Sequence, residues 1–386
     1  MGELLTLKLE GRIDSNNADI KKSEIEKEVY DFNGELVFDA TNLDYISSAG
    51  LRVLLYFKKK YDKMSIINCK PDVYDIFEMT GFNEIIDVKK KFRELSVDGC
   101  EIIGEGACGT VYRKDIDTIV KVYKKGIELK YIENERELAR KAFVMGIPTA
   151  IPYDVVKVGD LYGSVFELLN AKSYAQLLIN DPSDENVIKL CHETVDVLKI
   201  IHSQSVKKGE LEDKKIYYLD HANKARKFFS DKIGDRLFNL INEVPDSLNI
   251  IHGDFHLKNI MKQNGETLLI DMDTLAIGNP IFEFAGIFLT YIGFSSIDKN
   301  VVKNFMGLDY DKSVLFYNET INYYFSDRTK EEIEEIKRKI AFLGYIRLVS
   351  RTSERFDLSI PENKRFLDYC IKYIDDNVDK ISTLVF

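Results

Sequence analysis

Two successive patterns of strand and helix, with a break between them, confine this chain to more than one domain. Over residues 4–88 short strand signals alternate with helical ones. Leu5, Leu7 and Leu9 recur at every second residue, residues 35–40 and 64–69 are β-like runs, and residues 48–61 and 72–82 carry apolar side chains at helical spacing. A basic, polar and then turn-like stretch, residues 89–98, follows, as an exposed connection would read. Strand signals then start afresh at residues 101–113 and 118–123, ahead of a helix over 127–145 closed by Gly146 and Pro148. Beyond Leu169 nearly everything has helical period, including 185–202, 222–229, 235–243 and three long stretches after Lys299. The expected organisation is an α/β domain with a mixed sheet in residues 1–92 and a linker in 93–100. A small β-rich lobe in 101–169 and a mainly helical lobe in 170–386 complete it.

Charge and cysteine usage narrow the class of function. With 54 Lys+Arg against 64 Asp+Glu the formal charge is −10, which disfavours a broad phosphate-tracking surface for nucleic acid, so a phosphate ligand has to be met locally. Cys69, Cys100, Cys108, Cys191 and Cys370 show neither CxxC nor Cys/His spacing and read as reduced thiols of a cytoplasmic protein. The start of the chain lacks the basic-then-apolar layout of a signal peptide. The longest apolar stretch, residues 281–294, is interrupted by Glu283 and falls short of the ~20 residues a bilayer requires, so a buried helix is expected and no membrane association. The acidic residues at 331–335 read as a helix surface.

The chemistry gathers after residue 100. Gly104, Gly106 and Gly109 stand in a GxGxxGxV arrangement, where missing side chains let backbone N–H groups approach phosphate oxygens. A dinucleotide-binding turn would require a helix directly after the third glycine, whereas here the sequence continues as strand. A glycine-rich hairpin over a nucleotide fits better, with Val111 and Ile119 offered to adenine. Lys121 shares a strand face with Ile119 and Tyr123, and in the next helix Glu135 shares a face with Ile132, Leu138, Ala139 and Ala142, unlike Glu133 and Glu137. Lys121 is therefore expected to hold phosphates and Glu135 to fix its stem. The strongest signal is IIHGDFHLKNIM followed by LLIDMDT. Asp254 reads as the base that accepts a hydroxyl proton, and Asn259 and Asp271 as ligands of Mg²⁺, a hard cation that prefers oxygen. Asp273 is the weaker ligand candidate, His252 reads as a structural hydrogen-bonder, and His256 is unassigned.

Taken together, these motifs make residues 101–386 resemble the aminoglycoside phosphotransferase and choline kinase-like family, which shares the bilobal α+β protein-kinase fold. The resemblance implies ATP and Mg²⁺ as cofactors and a hinge over residues 166–169, with the backbone of Glu167 and Leu169 facing adenine. Gly253 stands where protein kinases carry the arginine that reads an activation-loop phosphate. Fifty residues separate His202 from His252, and about ten separate Asp271 from the helix at Ile281, which leaves no long peptide-binding segment. A small hydroxylated acceptor is expected.

The first ninety residues resemble the STAS domain of anti-sigma factor antagonists, on GRID at residues 11–14 and on the strand–loop–helix LVFDATNLDYISSAGLRVLL. In that family the serine at the position of Ser48 is a phosphorylated switch, and the acidic residue that commonly precedes it is Ser47 here. Ser47 and Ser48 both sit at a helix start, where a hydroxyl can cap free N–H groups and a phosphate is stabilised. Two functions follow as expectations. One is an ATP- and Mg²⁺-dependent phosphotransferase acting on a small hydroxyl compound, with the STAS unit as a regulatory or docking module for a protein partner. The other is a protein serine kinase or partner-switching regulator acting on a STAS serine such as Ser48. A scaffold without catalysis is disfavoured because Lys121, Asp254, Asn259 and Asp271 are all present.

Overall fold

Alternation of strand and helix in the first ninety residues produces a layered sheet in the computed structural model, which describes residues 3–106 and 108–386. Strand β1 (Leu4–Ile13), helix α1 (Ala18–Glu28), β2 (Glu35–Ile46), α2 (Ser48–Lys60), β3 (Met64–Cys69), α3 (Pro71–Met79) and β4 (Asp87–Lys90) follow in order, and the sheet runs β1-β2-β3-β4. The mixed sheet expected from sequence is parallel in all three pairings. Each connection is a helical crossover, and a crossover returns the chain to the same end of the sheet. Leu36, Phe38, Leu54, Phe57 and Ile66 close the core between sheet and helices.

The expected linker is not simply exposed chain. Arg93–Glu94 forms a short strand, β5, parallel to the later strand β9, and Arg93 makes two hydrogen bonds to Asp154 at 3.1 and 3.2 Å. Then come β6 (Glu101–Glu105), β7 (Gly109–Arg113), β8 (Thr118–Tyr123), α4 (Leu129–Val144), β9 (Pro152–Val158) and β10 (Leu161–Glu167). The second sheet is ordered β5-β9-β10-β8-β7-β6. Val120, Val122, Val156 and Val165 bury one of its faces, which leaves Ile119, Lys121 and Tyr123 on the other.

The remaining elements are β11 (Lys172–Ser173), α5 (Tyr174–Asn180), α6 (Asp184–Ser203), α7 (Lys214–Ala225), α8 (Asp231–Asn242), β12 (Ile250–Ile251), β13 (Ile260–Gln263), β14 (Glu266–Leu269), β15 (Ala276–Ile277), α9 (Pro280–Tyr291), α10 (Asn300–Met306), α11 (Tyr310–Tyr324), α12 (Lys330–Arg355) and α13 (Pro361–Asn377). The helix expected at 222–229 starts eight residues earlier, because Asp213 accepts the Lys215 N–H at 2.9 Å and caps it there. Helix α9 occupies most of the apolar stretch 281–294 and is buried on nearly all sides. Among the described residues no helix is long and apolar enough to cross a membrane.

Candidate active site

The glycine-rich run forms a hairpin, with β6 and β7 antiparallel. Gly109 has no room for a side chain, since a Cβ there would meet the Val122 carbonyl. Gly106 donates to the Gly109 carbonyl at 2.9 Å and so closes the hairpin, while its own carbonyl accepts from Lys124 Nζ at 2.9 Å. Val111 and Lys121 are direct cross-strand partners, as are Phe166 and Ile119, so the residues expected to meet adenine and phosphate lie side by side on two neighbouring strands.

Lys121 is anchored from two directions. Its Nζ lies 2.6 Å from Glu135 Oε1 and 3.6 Å from Asp271 Oδ1, which ties β8 to α4 and to the segment after β14. Burial opposes the lysine charge, but Glu135 and Asp271 outweigh it and hold the pKa above its ordinary value. Glu135 is only 3% exposed and its Oε2 has no hydrogen-bond partner, so the carboxylate serves the lysine alone. Helix α4 reaches the same segment a second time, through Tyr131, whose hydroxyl donates to Asp273 Oδ2 at 2.5 Å. Burial first, and then the charge of Asp271, push the Asp273 carboxyl up.

The loop between β12 and β13 carries Asp254, and a buried carboxylate on another element sets its shape. Glu283 of α9 accepts the N–H groups of His252 at 2.5 Å and Gly253 at 3.0 Å and lies 3.7 Å from His202 Nε2. Gly253 has φ +83°, and a Cβ there would collide with the Thr274 carbonyl, so the turn before Asp254 has room only for glycine. His252 is structural: its Nδ1 accepts from the Asp254 N–H at 3.3 Å and its carbonyl from Thr274 Oγ1 at 2.8 Å. His256 Nε2 lies 3.5 Å from Asp254 Oδ2. Burial works against an ionised Asp254, yet His256, His252 and Arg347 outweigh it and hold the carboxyl below its ordinary range. About half of the Asp254 side-chain surface remains open. The Asn259 Nδ2 donates to the Asp254 carbonyl at 3.1 Å, which leaves Oδ1 as the atom free to ligate. Asp271 adopts a left-handed conformation at φ +65°, uncommon for a residue other than glycine and frequent at functional sites.

At the expected hinge the Glu167 N–H donates to the Ile151 carbonyl and the Leu168 N–H to that of Asp117, whereas the Leu169 N–H has no partner among the described residues. In the first domain, Ser47 caps α2 by accepting the Ala49 N–H at 3.2 Å, and Ser48 is exposed as the first residue of that helix. Sequence reasoning did not find Glu283 and Tyr131 as site residues. The lone carboxylate within the apolar stretch 281–294 was the available signal for Glu283; Tyr131 had none.

A buried histidine nearby predicts an acid sensitivity. His221 of α7 bonds Ser350 Oγ at 2.8 Å, and burial, followed by the Arg347 charge, pushes its pKa down to about 4. The unfolded chain then binds the proton first as pH falls, so stability is full above about 6.5 and is lost towards 4, by about 3 kcal/mol in all. Urea denaturation at pH 7 and 4.5 should show this slope, and His221→Gln should remove it.

A β-rich lobe and a helical lobe that share a lysine–glutamate pair, an HGDxHxxN loop and an IDxD strand end describe a kinase-like phosphotransferase. The family model described as "Phosphotransferase enzyme family" matches residues 99–307, and the chain belongs to that family. A STAS domain model matches residues 2–95. The Bordetella bronchiseptica protein BtrV, described as a candidate anti-sigma factor antagonist, is 38% identical over 84 residues, which are 21% of this chain and 72% of BtrV. Among solved structures, ADP-bound aminoglycoside phosphotransferase APH(2'')-Ib is 17% identical with TM-score 0.49, covering 77% of this chain and 98% of its own. The amicoumacin kinase hAmiN, in complex with AMP-PNP, is 14% identical with TM-score 0.49, covering 86% and 97%. A choline/ethanolamine kinase family protein from Mesorhizobium loti is 12% identical with TM-score 0.47, covering 73% and 88%.

Proposed function

We propose that the chain transfers the γ-phosphate of ATP to a hydroxyl of a small molecule, with Mg²⁺. The observation that carries this reading is the Glu135–Lys121–Asp271 charge chain, which spans both lobes beside the Asp254 loop. In the transfer, the acceptor oxygen forms its bond to the γ-phosphorus, the bond from that phosphorus to the β–γ bridging oxygen breaks, and the hydroxyl proton passes to the Asp254 carboxylate. Lys121 binds phosphate oxygens, the hairpin of Gly104, Gly106 and Gly109 covers them, and Val111, Ile119 and the hinge at Glu167 and Leu169 hold adenine. Asn259 Oδ1 and Asp271 suit a hard cation that takes its other ligands from water and phosphate, and Mg²⁺ there would offset phosphate charge. Among the described residues no three His, Cys, Asp or Glu side chains form a metal cage.

The STAS domain is read as a regulatory or docking module for a protein partner. Glu133, on another face of α4 from Glu135, is half-buried, and burial pushes its carboxyl up while Lys90 of β4 and Glu78 of α3 act on it in opposite directions. Charges of the STAS domain thus reach the helix that fixes Lys121. A second reading, phosphorylation of Ser48 by this or another kinase, is favoured by its exposure and by the fact that Ser47 already supplies the cap. Incubation of the full chain with γ-labelled ATP, Mg²⁺ and a panel of hydroxyl compounds separates the two. Label is expected in a small-molecule product. Label confined to protein, and lost in Ser48→Ala, would favour the second reading.

A further inference from the structure

Around Asp254 the helical lobe assembles positive charge that its own carboxylates do not balance. Lys214 opens α7, and Arg347 and Arg351 are one turn apart on α12. A Cβ at Gly253, the residue before Asp254, would lie 3.0 Å from Lys214 Nζ. A Cβ at Gly286 of α9 would lie 3.8 Å from an Arg347 guanidinium nitrogen and 4.0 Å from the Gly253 carbonyl. The two glycines therefore leave open the space that Lys214 and Arg347 border. Arg351 is close enough to respond to the Asp254 charge, and Arg347 repels both Lys214 and Arg351.

These cations differ from their neighbours in resting on aromatic rings instead of carboxylates: Lys214 and Arg347 lie over Tyr217 at 4.8 and 5.2 Å, and Arg351 over Phe294 at 5.8 Å. Lys215, next along the helix, pairs with Asp246 at 2.8 Å, and Lys224 pairs with Asp220 and Glu354. Lys214, Arg347 and Arg351 have no carboxylate within 4.0 Å among the described residues, and the Arg347 Nε is buried with no hydrogen-bond partner at all. Glu283, the nearest fully buried carboxylate, is taken up by the His252 and Gly253 amides and His202. Glu283, Asp254 and Glu212 act on Lys214 only from beyond 4.0 Å. Burial, and then the charge of Arg347, lower the Lys214 pKa against the pull of Glu283, Asp254 and Glu212, so a further negative charge here would stabilise its protonated form. All three cations are half-buried, and a partly desolvated cation with no carboxylate beside it gains when an anion binds.

We propose that Lys214, Arg347 and Arg351 form the acceptor subsite and that they select a small hydroxyl compound carrying an anionic group, a carboxylate or a phosphate, near the hydroxyl presented to Asp254. This rests on the phosphotransferase reading of the site. A polycationic or amino-alcohol acceptor would meet three like charges, whereas an anion would accept charge-assisted hydrogen bonds from them.

The test uses the full chain saturated with Mg-ADP and titrated calorimetrically with glycerate and glycerol 3-phosphate, with ethanolamine and kanamycin as cationic hydroxyl compounds. At least one anion should bind, more tightly than either cation, and the better of the two identifies carboxylate or phosphate. Arg351→Gln, at the half-buried edge, and Lys214→Met should each weaken that binding at least tenfold while Mg-ADP binds as before. The proposal is overturned if neither anion binds or if a cationic compound binds better. It also fails if anion affinity falls in Lys121→Met but not in Arg351→Gln, which would place the anion on the nucleotide site. The titration is repeated without nucleotide, so a failure of Mg-ADP to bind counts against the phosphotransferase reading and leaves the anion subsite separately measured.

Discussion

Asp254→Asn should lower the turnover number of phosphoryl transfer by about 10²- to 10⁴-fold with little change in ATP affinity, because general-base catalysis contributes on that scale. The substitution keeps the shape and the loop bonds. Asn259 Nδ2 donates to the backbone carbonyl at residue 254, and the residue 254 N–H donates to His252, so neither contact uses the carboxylate. What is lost is the carboxylate charge, which His256, His252 and Arg347 hold ionised against burial, and with it the ionic contact to His256. Steady-state ADP release with a turned-over acceptor measures the effect. Full activity in Asp254→Asn would remove Asp254 from the chemistry.

Glu283→Ala should destabilise the fold by about 3–5 kcal/mol and inactivate what remains folded, since it strips the acceptor from two buried backbone N–H groups and leaves His202 without its carboxylate. Glu283 is a positioning residue: it touches the His252–Gly253 backbone and acts on Asp254 through it. Its burial disfavours the charge, but the nearby His202, 3.7 Å away, and the N–H and charge of His252 outweigh that, so the folded pKa lies below the unfolded one. The stabilisation is in place above about pH 4.3, the ordinary glutamate value, and disappears as pH falls through the lower folded value. Glu283→Gln keeps one acceptor oxygen and should recover part of the stability in urea unfolding. If it also restores the rate in proportion to the folded fraction, Glu283 is only structural; a kcat deficit in fully folded Glu283→Gln marks the positioning role.

Much of this site was legible because its parts lie in short, strongly patterned runs. The face of α4 that buries Ile132, Leu138, Ala139 and Ala142 necessarily buries Glu135, and helical period alone separates it from Glu133. Strand continuation after Gly109 distinguishes a hairpin from a dinucleotide turn. What escaped the sequence is what tertiary packing brings from afar. Lys214 and Arg347 are 133 positions apart and ordinary in composition, and only the packing of α7, α9 and α12 sets Lys214 beside Gly253 and Arg347 beside Gly286. The mixed sheet was the wrong expectation, since strands separated throughout by helical crossovers pair in parallel, as all three pairings do. The parallel strand at Arg93–Glu94 needed Asp154, sixty-one residues on, to be recognised.

The account depends on Lys121, Glu135, Asn259 and Asp271 serving one nucleotide. Calorimetric titration of ATP into the full chain, with and without Mg²⁺, tests this directly. One site is predicted, with affinity raised by Mg²⁺, weakened at least tenfold in Lys121→Met, and with the Mg²⁺ enhancement abolished in Asp271→Asn. ATP binding that ignores Mg²⁺ and both substitutions, or no ATP binding at all, would contradict it.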